Sequence, residues 1–397
     1  MTSSHPDPLP SARKVDRGEP APQCPVTRGE DGVWRIRGYL AGRAALRGTG
    51  TVQAGLGIET MDKLPARIRR PVLYRDGPEH REHRRQTARF FTAKHVDEHY
   101  LGTMARIADE QLARLRQHGR ADLSELSFGL AVAVAKSVVG LTESRPGTER
   151  RLNRFFPDEF GQPGFTSLRG LYWFGRQLFS WVSFYLNDVR PSVRPRRRVR
   201  RDDLISHLVD EGCTDGEILG ECLTIAAAGM VTTREFINVA AWHLFTDEDL
   251  RARYLDGDET TRFAVLHELL RLEPVVGNLV RRTTEPLELP DGTRVPAGEL
   301  VDIAVAEANL DPAVMGPDPR AVCPARPTGA GTGPAGLTFG DGPHRCPGTH
   351  VAVRESDIFL SKLFAEPGLR MASPPRVRLQ PAISGYELRG LVVTVEG

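Results

Sequence analysis

Phe339-Gly340-Asp341-Gly342-Pro343-His344-Arg345-Cys346-Pro347-Gly348 decides how this chain is read. It sets one cysteine at the end of a Gly-rich turn, directly before THVAVRESDIFL (349–360), whose apolar residues recur at helical spacing. A thiolate can bind iron and push electron density toward it, which favours O–O cleavage. An anionic sulfur needs backbone N–H donors, and a turn rich in glycine lets the chain fold tightly around it. Gly348 and the helix after it put the sulfur at a positive helix end. Phe339 is placed to shield the sulfur and to stack near a flat macrocycle. Two plainer readings stand beside this one: Cys346 as a buried inert thiol, or His344 and Cys346 as zinc ligands. Zinc would need further ligands, and none is grouped nearby.

The other cysteines, Cys24, Cys213, Cys222 and Cys323, are widely spaced and form no CxxC pair, so neither a disulfide framework nor a zinc site fits. With 397 residues, 40% hydrophobic and 26% charged, the composition is that of a globular protein. The net charge of +2 gives no global case for nucleic-acid binding or membrane-surface attraction. No apolar run reaches the ~18 residues that would cross a bilayer. The first residues lack the apolar core of a secretory signal, so a cytoplasmic protein without a membrane anchor is expected. Residues 1–28, rich in Pro, Ser and charge, read as a flexible N-terminal arm, and 29–397 as a single domain.

Most of that domain has helical periodicity. VWRIRGYLAGRAALRG (33–48) shows short strand character and then a helix with Leu40, Ala44 and Leu46 on one side. GPEHREHRRQTARFF begins a basic helix after Gly77-Pro78, and residues 101–140 read as two helices parted near Gly119. The segment 155–186 is aromatic throughout and reads first as a core-facing helix, with the lid of an apolar pocket as the sharper alternative. The run RPRRRVRR (194–201), broken by Pro195, reads as a solvated loop. Thr214-Asp215-Gly216-Glu217 is a capping box, and the helix it opens should continue to about Phe245, roughly 45 Å. A further helix over about 259–272 halts before Pro274, and short strand-like pieces follow at 279–289, 301–308, 377–382 and 388–396. The fold class is mainly α with a small β portion.

The Cys346 segment resembles the cytochrome P-450 signature Phe-Gly-x-Gly-x-His-x-Cys-x-Gly at every fixed position: Phe339, Gly340, Gly342, His344, Cys346 and Gly348. The resemblance implies that fold, with the long helix over a haem b and the Cys346 loop beneath it. Glu268 and Arg271, one turn apart on a helix, resemble the family's structural Glu-x-x-Arg pair, and Arg326 its third member. His80 and Arg84 resemble the pair that holds the haem propionates, with Arg281 as a third partner and Arg282 as its alternative. AEANLDP (306–312) is similar to the stretch between these motifs. Ala227-Ala228-Gly229-Met230-Val231-Thr232-Thr233 resembles the oxygen-binding groove, in which Ala228 and Gly229 let the backbone approach the cofactor and Thr232 and Thr233 serve catalysis. The plainer reading of the threonines is back-bonding of each hydroxyl to a carbonyl one turn earlier.

The family's acid before the threonine is Val231 here, which puts ordinary proton delivery in doubt. Arg234, Glu235, ordered water or substrate groups are the candidates to replace it. A histidine that often stands three residues before the Phe is Gly336. The resemblance implies a monooxygenase of the soluble bacterial class that uses dioxygen to oxidise a small, largely apolar molecule, a secondary-metabolite intermediate. Val231, Val275, Val276, Leu279, Ile383 and Ser384 would line its pocket, and a separate ferredoxin and ferredoxin reductase would supply electrons, with Arg81, Arg85, Arg89 and Arg345 as a basic docking patch. The missing acid also admits ring coupling, desaturation or peroxide-driven oxidation. A haem-binding sensor without turnover is the remaining alternative.

Overall fold

The computed structural model describes residues 13–18, 24–55, 58, 69–155, 167–329 and 331–396. Its contacts divide the chain into two compact units, one of residues 1–56, 235–346 and 373–391, the other of residues 57–234, 347–372 and 392–397. Among the described residues no helix is long and apolar enough to cross a membrane.

The first unit carries the main sheet. Its strands lie in the order Val26–Arg28, Trp34–Ile36, Leu300–Ile303, Leu279–Thr283 and Thr51–Gln53. The pairing is antiparallel except where Trp34–Ile36 runs parallel to 301–303. Tyr39, Ala41, Ala45 and Leu46 of the helix Tyr39–Arg47 join Ile36, Val301, Ile303 and Leu337 in its core. The helix Glu259–Leu272 is capped by Asp258, which accepts from the Thr261 amide at 2.8 Å, and it ends just before Pro274. Most of the N-terminal arm lies outside the described residues. Residues 13–18 are held: Val15 is buried, the Lys14 and Val15 amides donate to Glu273, and Arg13 donates to the carbonyls of Leu272 and Ala306.

The second unit is helical. Leu101–His118 and Leu123–Val139 are parted by Gly119, whose φ of +65° only glycine adopts freely. Its core is built from Phe90, Phe128, Phe184, Val193, Ile218, Cys222 and Met230 among others. The expected capping box is present: the Thr214 amide donates to Glu217 at 2.8 Å and the Glu217 amide to the Thr214 hydroxyl at 3.3 Å. The helix it opens runs Asp215–Thr246, 32 residues or about 48 Å.

Two expectations fail in this unit. The arginine run is a loop only at 199–201, because 194–198 belong to the helix Arg190–Arg198 and Arg196 is fully buried. Its guanidinium donates to Asp203 and Glu143 at 2.6 Å each, to Thr142 at 3.0 Å and to the Ser192 carbonyl at 2.8 Å. Two carboxylates and two neutral acceptors offset the desolvation of one cation, the condition under which a buried charge is tolerated. The aromatic segment is not mainly core-facing either. Phe155 and Trp181 pack at the buried Phe184, but Leu168, Leu171, Tyr172, Phe174, Leu178, Phe179 and Val182 of the helix Leu168–Phe184 are exposed. Phe156, Phe160 and Phe165 lie outside the described residues.

Candidate active site

In the first unit the Cys346 loop is closed on itself and anchored at its base. The Cys346 amide donates to the Phe339 carbonyl at 2.8 Å, and Gly340 and Gly342 take φ of +68° and +66°. Gly342 is needed twice over, since a Cβ there would also collide with the Leu46 carbonyl and the Arg47 backbone. Asp341 accepts from its neighbour's amide at 2.7 Å and from Arg43 at 3.0 Å, fixing the turn to the helix Tyr39–Arg47. His344 ends a short turn of helix begun at Gly342. Cys346 itself is exposed, which removes the reading of an inert buried thiol. The helix Thr349–Phe364 follows with Gly348 as its N-cap residue.

The approach to this loop is tied to the Glu268 helix. Glu268 accepts from Arg271 at 2.7 and 2.8 Å, from Arg326 at 3.1 Å and from the Cys323 amide at 2.9 Å. Arg271 spends its remaining donors on the carbonyls of Asn309, Pro319 and Ala321. Asn309, from the AEANLDP stretch, then donates to the Arg271 carbonyl and to Thr338, and accepts from the Leu337 amide at 2.7 Å. A side chain at Gly336 would strike Asn309, and Gly336 sits at φ +61°, so glycine there serves this knot. Sequence reasoning registered only the lost histidine.

The strand Leu279–Thr283 sends the two arginines to opposite faces by its alternation. Arg281 is buried and Arg282 is exposed, donating to the Gly298 carbonyl at 2.9 Å. Beside this strand the structure brings Val275–Leu279 against Ile383–Ser384: the Gly277 and Asn278 amides donate to the Ile383 carbonyl at 2.9 and 3.3 Å. Ser384 holds a left-handed φ of 43°, a strained position for a residue with a side chain. Arg17 donates to the carbonyls of Ser384 and Pro274. Val275 is buried, Val276, Leu279 and Ile383 are half-buried, and Ser384 is exposed.

In the second unit His80 is buried and Arg84 half-buried, one turn apart on the helix Gly77–Thr87. The long helix is buried at Glu221–Leu223, Ala226 and Met230, yet Ala228 is exposed, Gly229 and Val231 half-exposed, and a Cβ added at Gly229 would meet nothing within 4 Å. This is a bare patch of small side chains on an otherwise covered helix. The Thr232 hydroxyl donates to the Ala228 carbonyl at 2.6 Å, the back-bonded form. Its proton is committed there, and its oxygen keeps lone pairs to accept with.

Thr233 points elsewhere: it is buried, and its hydroxyl donates to Glu355 at 3.2 Å. Glu355, nine residues after Cys346, is the residue sequence reasoning missed; its signal was an acid amid the apolar positions of THVAVRESDIFL. Burial pushes its carboxyl up to about 8, against the lowering effect of Thr233. Glu235, offered as a substitute for the missing acid, is engaged otherwise. It is fully buried and accepts from the Leu388 amide at 2.7 Å and from Arg389 at 2.8 Å. Arg234 stacks its guanidinium on Phe128.

A carboxyl raised by burial holds its proton in the folded state while the unfolded chain, at the ordinary 4.5, has lost it. From about pH 4.5 to 8 unfolding therefore releases a proton, and this group's contribution to stability falls as pH rises through that window. Glu355→Gln should remove that slope: calorimetry of the haem-loaded protein from pH 5.5 to 8 should find the variant's Tm gaining on the parent's as pH rises. Parallel curves would mean that Glu355 is ionised in the native protein.

The cytochrome P450 family matches residues 263–373, from the Glu268 helix through the Cys346 loop. The chain is 29% identical over 369 residues to the cytochrome P450 monooxygenase PikC of Streptomyces venezuelae, covering 90% of this chain and 83% of the relative. It is 30% identical over 312 residues to nocardicin C N-oxygenase of Nocardia uniformis subsp. tsuyamanensis, covering 77% and 74%. The crystal structure of CYP109E1 from Bacillus megaterium in complex with corticosterone superposes with a TM-score of 0.75 at 23% identity, over 94% of this chain and 95% of that one. The chain belongs to the cytochrome P450 family, whose members are monooxygenases and hence oxidoreductases, and the family implies a haem iron with a cysteine thiolate ligand. Each unit by itself holds residues of a kind that fits that group: the first an exposed cysteine on an anchored loop and a buried arginine, the second a buried histidine and a bare small-residue patch.

Proposed function

We propose that Cys346 is the thiolate ligand of a haem b, and that the chain uses dioxygen to oxidise a small, largely apolar molecule, a secondary-metabolite intermediate. The observation that carries the reading is the exposed Cys346 at the end of a loop whose every turn is pinned. When bound, the haem supplies the oxidising centre. The chain's own residues do the rest. Phe339 and Gly340 shape the backbone around the sulfur, and Arg281, His80 and Arg84 balance the two propionates. Ala228 and Gly229 allow close approach. Val231 and the corner made by Val275, Val276, Leu279, Ile383 and Ser384 present an apolar wall that orients the substrate and excludes water. Residues 29–397 are proposed to work as one haem-binding domain, with 1–28 an arm, in the cytoplasm, with electrons from a separate ferredoxin and its reductase. Arg81, Arg85 and Arg89 are exposed on one stretch of chain suited to an acidic donor, though Arg85 already pairs with Glu82 at 2.6 Å.

Val231 and the back-bonded Thr232 favour a second reading of the same site, in which substrate groups or peroxide itself bring the protons the helix does not, as in ring coupling, desaturation or peroxide-driven oxidation. With its proton on Ala228, the Thr232 oxygen acts as an acceptor that orients a protonated partner, and no carboxylate stands at 231 to refill it. A spectral-shift screen of small molecules would first find a ligand. With that ligand, NADPH and a ferredoxin system, product and hydrogen peroxide are then measured for the parent, Thr232→Ala and Val231→Glu. Loss of one hydrogen bond worth about 1.4 kcal/mol should raise the peroxide-to-product ratio of Thr232→Ala roughly tenfold. Identical ratios in all three proteins would show that neither residue 231 nor Thr232 handles protons, and would leave the second reading.

A further inference from the structure

The second unit holds a cluster of donor atoms that the haem chemistry does not use. His95 and His99 lie one turn apart on the helix Ala93–His99, and Asp202 lies in the segment before the helix Leu204–Asp210. One ligating atom from each falls within 4.8 Å of the other two. The imidazoles stack at 4.1 Å between centroids, with 13° between their planes.

The hydrogen bonds around the two rings settle which nitrogens are available. His99 Nδ1 lies 3.1 Å from the His95 carbonyl, which can only accept, so Nδ1 carries the proton and Nε2 presents a bare lone pair. His95 Nε2 lies 3.2 Å from the Tyr100 hydroxyl, and in the tautomer whose Nε2–H donates to that oxygen Nδ1 is the second ligating atom. This is the arrangement that orients metal-bound histidines, one nitrogen tied and the other free. The backbones are held as well. Thr92 caps the helix through the His95 amide, and Asp203, next to Asp202, is fixed by Arg196 and the Ser206 amide. The competitor for Asp202 is Arg89, whose contact is loose at 3.9 Å and exposed on both sides; Arg89 also rests on the Phe90 ring.

We propose that His95, His99 and Asp202 form a binding site for a borderline divalent transition-metal ion, Zn²⁺ by the chemistry of the donor set. Two imidazoles and one carboxylate suit Zn²⁺ over Ca²⁺ or Mg²⁺, which take oxygen. Bonds of about 2.0–2.1 Å in a tetrahedron bring ligand atoms to about 3.3 Å, so on binding the exposed His99 ring would leave its stack on His95 and the exposed Asp202 side chain would rotate inward. The fourth position stays open to water. The ion would clasp the helix Ala93–His99 to the 199–203 segment.

Calorimetric titration of Zn²⁺ into the untagged, haem-loaded full chain tests this. The parent should bind one equivalent, and His99→Ala or His95→Ala should weaken that binding by at least about tenfold, with Asp202→Asn weakening it by less. Retention of the ferrous carbon monoxide band in each variant certifies the fold. A parent that binds no Zn²⁺ below ~1 mM, or variants that bind it as tightly as the parent, would overturn the site and assign any uptake to the chain's other histidines and Cys24.

Discussion

Replacing Glu268 by alanine should give protein that is largely unfolded or free of haem. The carboxylate is buried and takes four hydrogen bonds, three from guanidinium groups and one from the Cys323 amide. Removing it strands Arg271, which is fully buried, with only carbonyls to face, and leaves Arg326 without its anion. Breaking a buried pair in this way costs about 3–5 kcal/mol, against a typical total of about 5–15 kcal/mol. The damage should reach the Cys346 loop, because Arg271 holds Asn309 and Asn309 holds Leu337 and Thr338. Urea denaturation and haem content read both effects: the midpoint should fall sharply and haem loading with it. Glu268→Gln keeps the shape and loses the charge, and should lie between parent and alanine variant. A fully loaded alanine variant with the parent's midpoint would reduce the pair to a surface ion bridge in effect.

What the sequence disclosed well was local. The capping box at Thr214 and Glu217, the end of the Glu259–Leu272 helix before Pro274 and the glycines of the Cys346 turn are all set by neighbours within a few residues. Arg196 was misread because its partners Glu143 and Asp203 lie far along the chain or beyond a break, and a cation's burial is decided by who meets it. The helix Leu168–Phe184 was misread for a different reason. It does have a polar side, along Arg169, Arg176, Ser180 and Ser183, but the fold covers Gly170 and Ser180 beside that side and leaves Leu171, Leu178 and Val182 exposed, the reverse of what apolar periodicity suggests. Glu355 looked like one more charged residue on a helix; only its contact with Thr233 and its enclosure give it a role. At Gly336 the motif comparison registered a lost histidine, where the fold has a left-handed turn packed on Asn309.

The central claim is that the Cys346 sulfur binds the iron, and its loop makes a clean test available. Cys346 is exposed, and the turn is pinned through Asp341, Gly342 and the backbone bond to Phe339. Cys346→Ala should therefore fold, while the strong electron donation of a thiolate to the iron is lost altogether. The measurement is the spectrum of the ferrous carbon monoxide complex, taken on parent and variant at equal haem content. The parent should give the red-shifted Soret band of thiolate ligation, and Cys346→Ala should lack it entirely, with oxidation of any bound small molecule gone as well. A variant that keeps the red-shifted band would mean that another group ligates the iron, and would contradict the account.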